Sequence, residues 1–273
     1  MKIIYSKSEH VANRITTVTA SDENGEYPAS NLILGDVSKI YRSLYGGIVY
    51  VIDNNGKTIV DDLGNNLVAS SGDPVVLTVS VPQGVNNALS IFGANMQSVQ
   101  VEVKDTSEST TYSDQTFDLD PGRKYNRLWC EWTNNDEALH IIITLQNPGT
   151  TYFEIAEIVV GTIIQIPDPR YGLGQARENL QVIQKKAGGG FYIFDRPKPR
   201  SFDLSFLMDR ELEFDDLDEI YEKMGQMPLS MLLSEITENN MKWCGFFHVM
   251  SPPKASHDYL KKSVITVSLR EAV

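Results

Sequence analysis

The sequence predicts a mainly β chain in two parts: a jelly-roll β-sandwich, then a smaller α+β domain with one main helix packed on a β-sheet. Three observations carry this. Short apolar runs separated by Asn, Asp and Gly fill the chain up to about residue 210, with almost no helical period. A single strong amphipathic helical pattern follows them. Between the two styles stands a Pro-Gly cluster, IPDPRYG, which places the domains at 1–167 and 168–273.

In GGIVYVIDNNGKTIV, Asn54-Asn55-Gly56 is a hairpin-type turn between strand-like runs. DPVVLTVSVP and NALSIFGANMQSVQVEVKD contain LTVSV and SVQVEV, whose alternation reads as half-buried antiparallel strands. RLWCEWT is a further strand, and in ALHIIITL the run HIIIT reads as a strand covered on both faces. EIVVGTIIQI closes the first part. Many short strands at this spacing predict a sandwich or jelly roll.

Beyond the connector, QVIQKKAGGGFYIFDRPKPRSFDLSFLMD gives two strand-like runs around a Gly-rich turn, then a Pro-bracketed bend. In EFDDLDEIYEKMG, Leu217, Ile220, Tyr221 and Met224 fall at i, i+3, i+4 and i+7. Acidic residues crowd the first turns, where the helix dipole favours them, and Gly225 sits where a C-cap belongs. The apolar stripe is expected to pack on a sheet built from DLSFLM, PLSMLLS, KWCGFFHVM and SVITVSLRE.

Composition narrows the function classes. With 273 residues the chain can form two cores, and 41% hydrophobic and 22% charged residues describe a globular protein. The net charge of -12 is uneven: residues 1–165 hold 10 Lys and Arg against 20 Asp and Glu, and residues 166–273 hold 14 against 16. An acidic first lobe repels phosphate backbones, so no nucleic acid partner is expected. The longest apolar run, around Ile155 to Ile166, is too short for a bilayer and contains Glu157, so no membrane insertion is expected. The start, MKIIYSKSEH, lacks a secretory h-region, which points to folding in a cytoplasm. Cys130 and Cys244 lie far apart and read as buried thiols.

Chemistry-bearing patterns are sparse. His10, His140, His248 and His257 show no metal spacing, and no GxSxG elbow, Walker loop or CxxC occurs. Gly188-Gly189-Gly190 lies between strand-like runs and reads as a turn. Asp61-Asp62, Asp118 with Asp120, and Asp215-Asp216 are carboxylate pairs of the kind a glycosidase uses, but 36 acids yield such pairs by chance. No catalytic residue, metal site or cofactor is assigned, and the chain is not expected to be an enzyme.

YPASNLILGDVSKIYRS, residues 27–43, resembles the early segment of galactose-binding-like (discoidin-type) β-sandwiches, with Tyr41 where Trp often stands. YFEIAEIVVGTIIQIP is similar to their closing strand, so the resemblance covers about residues 15 to 167. It implies that Leu32 and Tyr41 pack under the sandwich while Asp36 shapes a turn. The same segment can help hold a structural calcium or border a sugar-binding rim. The structural corner is the favoured reading of the two.

The second part resembles the C-terminal region of tailed-bacteriophage tail-tip proteins of the distal-tail and baseplate type. The shared order is an Arg-rich strand, a helix ending at Gly, a Pro-led strand, the aromatic CGFFHVM and a closing SVITVSLREAV. The resemblance implies a structural virion protein, assembled in the host cytoplasm and located at the phage tail tip. It would form a homo-oligomeric ring, six-fold first and three-fold as the fallback, with tail tube, hub or baseplate proteins as partners. The alternative is a carbohydrate-binding module recognising host-surface glycan. Arg196, Lys198 and Arg200, on an expected exposed bend, are the candidate assembly contacts.

Overall fold

A computed structural model describes residues 1–5, 13–22, 25–33, 41–42, 48–50, 68–71, 74–119, 126–133, 136–148, 153–169, 174–178, 182–185, 191–194, 198–209, 213–225, 227–234, 243–256 and 262–272. Two compact units make up the chain: Asn13–Thr162, and Met1–Ala12 together with Ile163–Val273. The β-rich unit is thus an insertion within the other.

The chain starts with β1 (Lys2–Ile4) and then enters the inserted unit. There it forms β2 (Thr17–Ala20), a 3-10 turn η1 (Ala29–Ile33), β3 (Tyr41–Arg42), β4 (Ile48–Tyr50), β5 (Val68–Ser71), β6 (Val75–Val81) and β7 (Ala88–Ala94). Next come β8 (Met96–Asp105), β9 (Thr111–Asp118), β10 (Asn126–Glu131), β11 (Leu139–Pro148), β12 (Glu154–Ile155) and β13 (Glu157–Gly161). A five-stranded sheet β2-β6-β11-β8-β9 and a three-stranded sheet β10-β7-β13 result, all antiparallel. Their inner faces are the alternating apolar positions. Leu77, Val79, Val99, Val101, Ile141 and Ile143 of one sheet and Leu89, Ile91, Leu128, Ile158 and Val160 of the other are buried.

The alternation read in LTVSV and SVQVEV therefore marks half-buried strands as predicted. HIIIT differs. Ile142 of β11 is half-exposed between Thr78 and Glu102, because β11 is an inner strand of a sheet whose other face is polar. The strands buried along their length are instead β7 and β13. β4 pairs with β5, so Ile48–Tyr50 finds its partner beyond the expected Asn54-Asn55-Gly56 turn, which lies outside the described residues.

The second unit resumes with β14 (Ile163–Gln165), β15 (Gly174–Arg177), β16 (Val182–Lys185), β17 (Phe191–Phe194) and β18 (Arg200–Asp209). It ends with helix α1 (Glu213–Met224), β19 (Leu229–Leu232), β20 (Cys244–Val249), β21 (Lys254–Ser256) and β22 (Lys262–Glu271). One sheet runs β14-β1-β19-β20-β22-β18-β15, with β21 also paired to β22. The strands on either side of the Gly-rich stretch, β16 and β17, pair with each other. Leu217, Ile220 and Met224 of α1 are buried in one core with Phe202, Phe206, Ile265 and Val267, the stripe-on-sheet packing expected. Gly225 closes the helix at φ 56, donating its N–H to Tyr221 O at 2.8 Å. No helix among the described residues is long and apolar enough to cross a membrane.

The mainly β plan, a sandwich with an α+β unit, is thus the predicted one, while the boundary at 167/168 needs correction. β1 pairs with β14 and β19, so the first residues belong to the α+β sheet. The run EIVVGTIIQI is shared: Glu157–Gly161 closes the three-stranded sheet, Thr162 is the crossing, and Ile163–Gln165 begins the other unit. An uninterrupted apolar run hides the change of sheet.

Residues 13–162 expressed alone should give a soluble β-rich domain with a cooperative melt, monitored by circular dichroism. A non-cooperative product would show that the α+β unit is needed to complete its core.

Candidate functional site

Antiparallel pairing sorts the connections of the sandwich to two ends. At one end lie Asn13, the segments 82–87, 106–110, 132–133 and 136–138, and Thr162. This end is closed by its own hydrogen bonds. The buried Arg14 guanidinium donates to Gln83 O (2.8 Å) and Asn86 Oδ1 (3.2 Å), while Asn86 Nδ2 donates to Gly84 O (2.9 Å). Gly84 has φ +134, and a Cβ there would meet the Arg14 guanidinium, so a side chain is excluded on both counts. Asn13 Nδ2 donates to Ile158 O (2.8 Å), its Oδ1 accepts from Val160 N (3.1 Å), and Arg14 N donates to Val160 O (2.9 Å).

The β8–β9 connection at this end is self-contained. Asp105 accepts from Ser107 Oγ (2.5 Å), Thr110 N (2.9 Å) and Ser109 Oγ (3.0 Å). These bonds, led by Ser107, hold its carboxyl down at about 2. The contribution is present above the ordinary carboxyl value of 3.8 and is lost as pH falls through about 2. Tyr112 Oη donates to Glu137 (2.5 Å), and His140 Nδ1 lies 3.8 Å from Glu108.

The opposite end carries the long excursion between β2 and β6, which includes η1, β3, β4 and β5. YPASNLILGDVSKIYRS is its stem. Leu32 and Tyr41 are both 0% exposed, and Tyr41 Oη donates to Asp22 O at 2.6 Å. β3 pairs with β12, placing Tyr41 opposite Ile155 and Arg42 opposite Glu154. Next to it, Asn95 Oδ1 accepts from Glu154 N (2.8 Å) and Asn95 N donates to Glu154 O (3.1 Å). Gly93, at φ +66, lets this segment approach: a Cβ there would stand 2.6 Å from Ala156 Cβ. The stretch is therefore a structural corner in Leu32 and Tyr41, while Asp36 lies outside the described residues. Of the excursion at this end, the described parts are residues 21–22, 25–33, 41–42, 48–50 and 68–71, anchored by Leu32 and Tyr41, and they are the candidate site.

The candidate assembly contacts separate. Lys198 is exposed, and Arg196 lies outside the described residues. Arg200 is a correction: it is 5% exposed, its Nε and Nη2 donating to Glu271 at 3.0 and 2.9 Å and its Nη2 also to Cys244 O at 3.0 Å. Its guanidinium sits 5.5 Å from the centroids of both the Phe202 and Phe247 rings, which meet edge to face. Alternation decides this, since Arg200 shares the core face of β18 with Phe202 and Leu204. It holds the sheet together from within rather than standing on an exposed bend.

Of the carboxylate pairs, Asp61, Asp62 and Asp120 lie outside the described residues, and Asp215 and Asp216 are neighbours on a helix. Among the described residues no group of three or more His, Cys, Asp or Glu could hold a metal ion. Cys130 and Cys244 are buried and not joined in a disulfide, and burial pushes the Cys130 thiol up to about 12. Sequence reading missed Arg14, Asn86, Asn95 and Glu154. Their partners are backbone atoms or residues far along the chain, which no local spacing announces.

No protein-family model matches the chain, and no curated protein matches its sequence. Among solved structures it is similar to a family 32 carbohydrate-binding module from C. perfringens NanJ in complex with galactose, at 14% identity and TM-score 0.38, over 60% of this chain and 100% of that one. It is likewise similar to the lectin domain of lectinolysin complexed with Lewis B antigen, at 10% identity and TM-score 0.38, over 58% and 99%. A third is reduced XRCC1 bound to the DNA polymerase β catalytic domain, at 11% identity and TM-score 0.37, over 55% and 97%. Sugars accompany two of these and a protein the third. At such identities and scores, no ligand or partner carries over to this chain.

Replacing Tyr41 by Phe should lower the stability of the sandwich by about 1 kcal/mol through the lost hydrogen bond to Asp22 O. Tyr41→Ala should cost about 3–5 kcal/mol by opening a cavity. Chemical denaturation of residues 13–162 measures both, and an unchanged midpoint for Tyr41→Ala would contradict the structural role.

Proposed function

We propose that this is a non-catalytic binding protein whose inserted sandwich recognises glycan and whose α+β unit serves as the mount. One observation carries this reading. The sandwich is closed at the end where the chain enters and leaves, at Asn13 and Thr162, and bears its longest excursion at the other. Rigid strands with a loop-bearing end are the usual form of a recognition module. Galactose and Lewis B glycan are the probes to begin with, being the ligands in two of the similar structures.

A glycan array probed with the intact chain should show saturable, selective retention of at least one glycan, with no release of reducing sugar from it. Retention of none, at high protein density, would reject the glycan reading. Sugar release would replace it with an enzymatic one.

Assembly into a phage tail tip is the second reading. It is supported by the element order of the α+β unit, in which β18, α1 ending at Gly225, Pro-led β19, aromatic β20 and closing β22 follow the resembled order and build one unit. In this reading the protein resides in the virion, as a ring around the tail axis. Cryo-EM of tails should show such a ring, and single copies placed off the axis would reject it.

A further inference from the structure

The two faces of the α+β sheet are covered unequally. Phe202, Leu204, Phe206 and Met208 of β18, with Ile265, Val267 and Leu269 of β22, share one core with the apolar stripe of α1. Alternation sends Ser201, Asp203, Ser205 and Leu207, with Val264, Thr266, Ser268 and Arg270, to the other face. There Asp203 and Thr266 are exposed although they sit on inner strands. Leu207 and Val264 stand directly opposite each other and are half-exposed, forming an apolar centre. Lys254 and Lys262 are exposed beside it, and Met250, whose N–H bonds Ser268 O, is 47% exposed.

The helix presents the complementary surface. Asp215, Asp218 and Glu222, at i, i+3 and i+7, form an exposed acidic stripe on the side away from its buried Leu217, Ile220 and Met224. Residues 213–224 hold six acids and one base, whereas the rest of 166–273 holds thirteen bases and ten acids. The charge of the unit is thus separated between its helix and the remainder. At 12 residues the helix is about 18 Å long, and the ten-residue strands β18 and β22 span about 33 Å, so the strands are long enough to lie along the helix.

We infer that the polar, partly exposed face that the described residues of β21, β22 and β18 present is a docking surface for helix α1 of a second copy of this chain. The acidic stripe of the helix would meet Lys254 and Lys262, and charge complementarity carries the contact. Donor and acceptor patches differ, so the contact is heterologous: each copy gives a helix to one neighbour and takes one from another, which closes a ring or extends a filament. The inference deepens the assembly reading and rests on it; the glycan reading is independent of it.

Sedimentation velocity of the intact chain over a range of protein and salt concentrations tests this, with two charge-reversed variants: D215K/D218K/E222K on the helix and K254E/K262E on the sheet. All five side chains are exposed, and unchanged far-UV circular dichroism and melting verify that the fold is kept. The wild-type chain should associate at low ionic strength and dissociate as salt rises. Each variant alone should associate at least about tenfold more weakly, because like charges then face each other. An equal mixture of the two should recover association, since each copy then offers the other a complementary patch. Variants that associate as wild type overturn the docking surface while leaving the assembly reading in place, as does a mixture that fails to recover. A wild-type chain that stays monomeric at every concentration overturns the docking surface, and off-axis placement in tails is what rejects assembly itself.

Discussion

The constraint on which the rest of the structure depends is the pairing of Ile4 with Ile163. Two strands that form adjacent rungs of one sheet are separated by an entire domain. Closing so long a loop from an unfolded chain carries a heavy entropic cost before any pairing compensates it. The sandwich removes that cost once folded. Asn13 and Arg14 are hydrogen-bonded to residues 158 and 160, so the chain re-emerges beside the point where it entered. β1 and β14 then meet across an effectively short connection. The polar clamp of Arg14, Asn86 and Asn13 lies at this closed end and holds the two ends of the insertion together.

A second buried polar contact works in the other core. Arg200 and Glu271 are each about 6% exposed in their side chains and join the first residue of β18 to the last of β22. A charge taken that far from water is tolerated only with its partner and further hydrogen bonds in place. Cys244 O supplies one, which brings in β20, and the rings of Phe202 and Phe247 flank the guanidinium. Gly245 belongs to the same arrangement, since a Cβ there would run into the Phe247 ring. Losing either charged partner would leave the other buried alone, so the pair fixes the register of three strands as much as it binds them.

Periodic features were legible in the sequence. The stripe of Leu217, Ile220 and Met224, the cap at Gly225 and the alternation in β6 and β8 depend on neighbours along the chain, which spacing reports directly. Tyr41 and Leu32 were legible for another reason: their burial was what the resemblance of residues 27–43 to galactose-binding-like sandwiches implied. What escaped were properties set by distant partners. β1 reads as an ordinary short strand, and nothing local says that its neighbours are β14 and β19. Arg200 looks like one more base in a basic bend until the pleat places it beside Phe202 on the inner face. The pairing of Asn95 with the backbone N–H and carbonyl of Glu154 likewise joins positions with no common pattern.

The crossing at Thr162 has a consequence for how such a protein changes over generations. Residues 12 and 163 flank a segment whose two ends are held together by its own bonds, so that segment can be gained, lost or exchanged in one genetic event. The sheet on either side would need only a tight turn between β1 and β14 to stay whole. Selection can then act on the inserted unit and on the α+β unit separately, because the exchange of one leaves the strand order of the other unchanged.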